Sequence, residues 1–176
     1  MTWTAPKVER TTRIDGLATV DERRMLEGWL TWHRETLLAK CSGLNGDQLA
    51  RTTVEPSDLT LLGLVRHMAE VERWWFRRRM ADEPIGDVFT GPADGDEGIE
   101  GVRAACAERD FGLFRAEVTA SDAAAADRGL DDTFTSSRGV TVSLRWAYVM
   151  MIQEYARHNG HADFLRERTD GVTGDG

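Results

Sequence analysis

Cysteine is scarce: Cys41 and Cys106 are the only two in 176 residues. Each lies in a segment that reads as helix, and neither has a CxxC partner. Two thiols cannot staple a chain this long, so each reads as a small buried hydrophobe. Proline is scarce too. Pro6, Pro56, Pro84 and Pro92 fall in a lead-in and in two connections, leaving long stretches free to be helical. No run of eighteen apolar residues exists, so no membrane span is expected. The opening MTWTAPKVERTTRIDG is polar and lacks the apolar centre of a secretory signal. A cytoplasmic location is the expectation. A basic surplus is also missing. A formal net charge of −8 and a pI near 5.0 argue against nucleic-acid binding. No Gly-rich phosphate loop, internal repeat or low-complexity tract stands out.

What is present is an ordinary globular balance, 30 % charged and 41 % apolar. The length suits one domain that buries a core without disulfides. Residues 1–18 read as a lead-in that Trp3 and Val8 anchor, 19–170 as the domain, and 171–176 as a tail. Four stretches carry helical periodicity. The first, Asp21 to Lys40, puts Leu26, Trp29, Leu30, His33 and Leu37 on one side. A helical turn is expected at GDQLART. The second long helix runs from about Ser57 or Thr60 to Met80, with Leu61, Leu64, Val65, Met68, Val71 and Trp75 inward. A loop is expected over 81–96. The third helix runs from about Gly98 to Thr119, with Ile99, Val102, Cys106, Leu113 and Val118 as core positions. Thr133 to Val142 has room for a short extended piece. The fourth helix is Ser143 to Arg168. The fold class is therefore all-α, a four-helix bundle.

The fourth helix organises the chain. Leu144, Ala147, Met151, Tyr155, Ala162 and Leu165 recur at helical spacing. Glu154 and His158 continue the stripe of Ala147 and Met151, so a carboxylate and an imidazole face the interior. A charge there is costly unless paired. His67 lies between Leu64 and Val71 on the second helix and points inward or to the edge of the interior. Two histidines and one carboxylate that leave an open position suit catalytic zinc, and they suit iron or nickel as well. His161 leaves an alternative open. Glu154 and His161 are separated by roughly 10.5 Å of helical rise, so the pair on this helix is either Glu154 with His158 or His158 with His161. We favour the first, because Glu154 otherwise has no partner. The plain reading of the trio is an ion pair with a hydrogen-bonded histidine in a bundle core. His33 reads either as a buried structural histidine or as a fourth polar group of the cavity.

The run EYARHNGHADFLRE, with LTLLGLVRHMAEVERWWF upstream and TWTAPKVERTT and DERRMLEGWLTWHRETLLAKCSGL at the start, resembles the small actinobacterial-type branch of the DinB-like superfamily. The resemblance implies a four-helix bundle with a divalent metal at one end, held by one residue of helix two and two of helix four. Most members use three histidines; the mycothiol-dependent maleylpyruvate isomerases use His, Glu and His, matching His67, Glu154 and His158. Those isomerases carry a further C-terminal domain, so isomerisation itself is not expected. The implied chemistry is transfer of a low-molecular-weight thiol, such as mycothiol or bacillithiol, to a small electrophile in detoxification or stress. His33 and His161 become candidates for proton handling. Arg66, Arg73 and Arg157 become candidates for meeting an anionic thiol or substrate, each also reading as a solvated face residue. Trp74 or Trp75 offers a face for a homodimer. The rival readings are a non-catalytic metal-binding stress protein, a metal-free interaction protein and a metal-dependent hydrolase.

Overall fold

The computed structural model describes residues 3–89, 99, 101–136 and 138–173. Its helices are α1 (Glu22–Cys41), α2 (Gly46–Leu49), α3 (Leu61–Glu72), α4 (Ala107–Ala125) and α5 (Leu144–Asp170). Each boundary has a local cause. Asp21 accepts from the Arg24 amide and caps α1. Asn45 and Gln48 form a reciprocal capping box that holds the short α2, where a helical turn was expected. Thr60 caps α3 through the Gly63 amide at 2.9 Å, and Ser143 caps α5 through the Trp146 amide at 3.2 Å. Gly171, at φ 80°, ends α5 in the left-handed conformation that a side chain would resist.

The bundle is the all-α one the sequence predicts. The helix α1 lies along α5, and α3 lies against both α4 and α5. Leu30, Leu37, Leu64, Met68, Phe76, Phe111, Phe114, Met151 and Tyr155 fill the centre. All six apolar residues of the α5 stripe are buried. The lead-in is tied down. Ala5 exchanges backbone hydrogen bonds with Gly43 and Leu44, Val8 donates to Ser42, and Trp3 meets Phe111 edge to face at 5.3 Å. Among the described residues no helix is long and apolar enough to cross a membrane.

Two helix expectations need correction. The second long helix does not stay α-helical: Arg73–Met80 is a π-helix, closed by the Ala81 amide on the Phe76 carbonyl five residues back. The third helix starts and ends later than predicted, at Ala107 and Ala125, behind a 3₁₀ turn at Ala104–Cys106; Gly98 lies outside the described residues. Its buried face is also different. Ala107, Phe111, Phe114 and Ala125 point inward with Asp110, Glu117 and Ser121, whereas Ile99, Val102, Cys106, Leu113 and Val118 are only half-buried. Cations decide this. Arg66 pairs with Asp110, and Arg73 and Arg77 with Glu117, so carboxylates occupy the inner face. The expected extended piece is present, as a two-stranded antiparallel hairpin, β1 (Thr133–Thr135) with β2 (Thr141–Ser143), with Phe134 opposite Val142. In the loop after Met80, residues 81–89 form no regular element, and 90–96 lie outside the described residues. Trp74 and Trp75 are half-buried rather than exposed. Trp74 lies beneath the guanidinium groups of Arg78 and Arg79, and Trp75 meets Phe134 and Trp146.

Candidate metal centre

The capped start of α3 places His67 near the middle of that helix, and the α5 stripe places Glu154 and His158 opposite it. The Nε2 atom of His67 stands 3.5 Å from Glu154 Oε1, and His158 Nε2 stands 3.0 Å from the same oxygen. The two imidazole centroids are 4.7 Å apart. One donor atom from each of the three residues lies within 4.8 Å of the other two. His161 stands beside the group, its Nδ1 3.4 Å from Nδ1 of His158. The other carboxylate oxygen of Glu154 accepts from Arg157 at 2.7 Å.

Electrostatics match this geometry. Burial, and then the neighbouring His67, push His158 below its ordinary range, which favours the neutral imidazole. Burial alone would raise the Glu154 carboxyl, but hydrogen bonds from Arg157 and His158 outweigh it and hold the group ionised.

A divalent ion suits these donors. Around zinc, bonds of about 2.0–2.2 Å in a tetrahedron set neighbouring ligand atoms roughly 3.3–3.5 Å apart. The His67 contact to Glu154 Oε1, 3.5 Å, has that spacing, and the His158 contact, 3.0 Å, is somewhat shorter. A histidine that ligates through Nε2 carries its proton on Nδ1 and needs an acceptor there. His161 Nδ1 is in place to be that acceptor for His158.

The other predicted residues are distributed differently. His33 is buried one helix away, on α1. Asn159 donates through Nδ2 to His33 Nδ1 at 3.3 Å and to its carbonyl at 3.1 Å, so the neutral ring carries its proton on Nε2. Burial lowers its pKa. Arg66 is buried, paired with Asp110 at 3.1 Å and lying 4.2 Å over the Phe89 ring. It is a core residue between α3 and α4, not a solvated one. Arg73 binds Glu117 and the Gly86 carbonyl. Arg157 is the exposed arginine that touches the site carboxylate.

A family model for mycothiol-S-transferases matches residues 25–171. The chain belongs to that family. No curated protein and no solved structure matches it. The matched range spans α1 to α5, so it includes every residue of the cluster and both helices that carry it.

Sequence reasoning missed a buried carboxylate at the end of α3, the helix that carries His67. Glu72 is fully buried; Arg34 grips both of its oxygens at 2.6 and 2.7 Å, and the Tyr155 hydroxyl donates to it at 2.8 Å. A signal was available. Leu64, Met68 and Glu72 are four residues apart, so Glu72 continues an apolar stripe as Glu154 does. It also missed Asn159, whose neighbour His158 drew attention to one face of α5 only.

Proposed function

We propose that this chain is a metal-dependent S-transferase that joins mycothiol to a small electrophile. Three donor atoms within 4.8 Å, two of them imidazole nitrogens on one oxygen of Glu154, carry the reading. His67, Glu154 and His158 hold a divalent ion, zinc first among candidates, with nickel or iron also compatible. When bound, the ion supplies the positive charge that lets a thiol lose its proton at neutral pH.

The remaining work falls to the chain's own residues. Glu154 is fixed by Arg157, so its charge stays beside the two imidazoles. His161 orients His158 through the Nδ1 contact. His33 lies behind Asn159 and acts on the position of α5 rather than on substrate. The transfer forms one carbon–sulfur bond. The thiol gives up its proton, and the electrophile either releases a leaving group with the bonding pair or gains a proton at the adjacent carbon.

The test is elemental analysis of untagged protein, with mass spectrometry of the thiol products. One equivalent of metal and a mycothiol conjugate formed faster with enzyme than without it are expected. Absence of metal even after zinc or nickel is added would return the cluster to an internal polar group, with Glu154 satisfied by Arg157 and His158. Metal without thiol-dependent turnover would leave a metal-binding protein without this catalysis.

A further inference from the structure

The seam that holds the cluster extends past it. The helix α3 and the π-helix that continues it contact α5 in antiparallel order: His67 of α3 meets His158 with centroids 4.7 Å apart, and Trp75 of the π-helix meets Trp146 at 5.4 Å. Trp146, Met150, Glu154 and His158 follow one another at steps of four on α5, which puts them on one face. Met150 and Glu154 are one turn apart, about 6 Å along the helix.

At the tryptophan end of this seam lies a groove of about 440 Å³, walled by Trp74, Trp75, Val140, Val142, Trp146 and Met150, with Ser136 and Arg138 also lining it. That volume falls in the range of roughly 300–1,000 Å³ found for small-molecule sites. Trp146 and Val140 are 46 % and 56 % exposed, a large apolar surface open to solvent. Two irregular elements make the groove: the π-helix brings adjacent Trp74 and Trp75 both to its wall, and the hairpin lays Val140 and Val142 across from them. Toward the other end of α5 lies a mixed cleft of about 570 Å³, where Arg51, Thr52, Thr53, Glu55 and Arg168 are joined by Val54 and Phe164.

We propose that the tryptophan groove holds an aromatic or otherwise flat apolar portion of the electrophile, with its reactive carbon turned along the seam toward Glu154. This rests on the transferase reading above for the identity of the ligand as an electrophile. Ser136 and Arg138 are the polar residues of an otherwise apolar lining, so a hydrophilic thiol would lose hydration against most of the groove, whereas a flat apolar group gains buried area and ring contacts. Sulfur bonds to the reactive carbon, the leaving group departs with its bonding pair, and the thiol proton passes to solvent.

The test separates binding from turnover. Binding of unreactive N-(1-naphthyl)acetamide to the full chain is followed by quenching of tryptophan fluorescence in wild type, Trp146→Ala and Val140→Asp. Both altered positions are exposed, and melting temperatures check folding. Saturable quenching is expected, weakened about tenfold in each variant. Mycothiol turnover is then compared for 2-chloro-N-(1-naphthyl)acetamide and 2-chloroacetamide. The ratio of their kcat/KM values falls about tenfold in each variant. Equal naphthyl affinity in wild type and folded variants, or an unchanged ratio, overturns the proposal. A wild-type dimer that Trp146→Ala splits, with no naphthyl binding to either form, overturns it in favour of a second copy as occupant. Trp146-dependent binding with no turnover of either chloroacetamide overturns the transferase reading and keeps the groove's ligand class. Turnover of both with a variant-insensitive ratio does the reverse.

Discussion

His67 reaches across the bundle to Glu154, Nε2 to Oε1 at 3.5 Å, and so joins α3 to α5 at the candidate metal centre. His67→Ala removes a donor that no neighbour on α3 replaces. Metal affinity is expected to fall more than about 100-fold, beyond the 10–100-fold typical of losing an outer partner. Glu154→Gln keeps the shape and loses the charge, so it also weakens loading. Metal-to-protein ratios after dialysis against a chelator check both.

His161→Ala separates the two ligand pairs that α5 offers. If His161 serves only as the Nδ1 partner of His158, the variant still loads one equivalent, with affinity reduced about tenfold. Retained Glu154 dependence in the same background completes the test. Loss of metal in His161→Ala and full loading in Glu154→Gln would reverse the assignment.

The buried pair of Arg34 and Glu72 gives a prediction about stability. Arg34→Met strands a fully buried carboxylate, which costs about 3–5 kcal/mol in urea unfolding. Removing both charges, as Arg34→Met with Glu72→Leu, recovers most of that loss, because an apolar pair of similar volume needs no hydration. It leaves the Tyr155 hydroxyl without its acceptor, a residual cost of about 1–3 kcal/mol. Denaturation midpoints of the two single variants and the double variant measure the coupling.

Acid sensitivity follows from His33. Burial depresses its folded pKa below the ordinary value of about 6.5. Below that value the unfolded chain binds the extra proton and the folded chain resists it, so folding stability drops as pH falls from about 6.5 toward the folded pKa. His33→Gln removes this contribution. The stability difference between wild type and variant is expected to be constant above pH 7 and to shift against wild type below pH 6.5. The lowered carboxyls of Glu117 and Glu154 act in a separate window, losing their contribution only as pH falls below about 4.3.

The helix cap at Thr60 is buried and starts the helix that carries His67. Thr60→Ala leaves the Gly63 amide without its acceptor and costs about 1 kcal/mol. Fraying of that first turn, read by hydrogen exchange at the amides near Gly63, accompanies the loss.

The α5 stripe was legible because every one of its apolar residues faces the same interior, and period alone reveals that. Glu154 and His158 were legible for the same reason: polar residues on an apolar stripe ask for a partner. The same logic applied to Glu72 finds a buried carboxylate but not its partner, which is Arg34 from a helix far away in sequence. The buried face of α4 was misread because carboxylates at Asp110 and Glu117 look solvent-facing until Arg66, Arg73 and Arg77 are known to stand opposite them. The π-helix at Arg73–Met80 left no periodic trace, since RWWFRRRM is polar and aromatic all round.

Local pattern by itself determined the helical class and the placing of Glu154 and His158 on the α5 stripe and of His67 beside the apolar face of α3. These depend on spacing. Tertiary structure alone decided that both imidazoles meet one oxygen of Glu154, that His33 binds Asn159 and stays out of the cluster, and that a tryptophan groove continues the seam. Each of these needs the relative placement of helices distant in sequence. That placement is set by how side chains fill the core together, and no single segment encodes it.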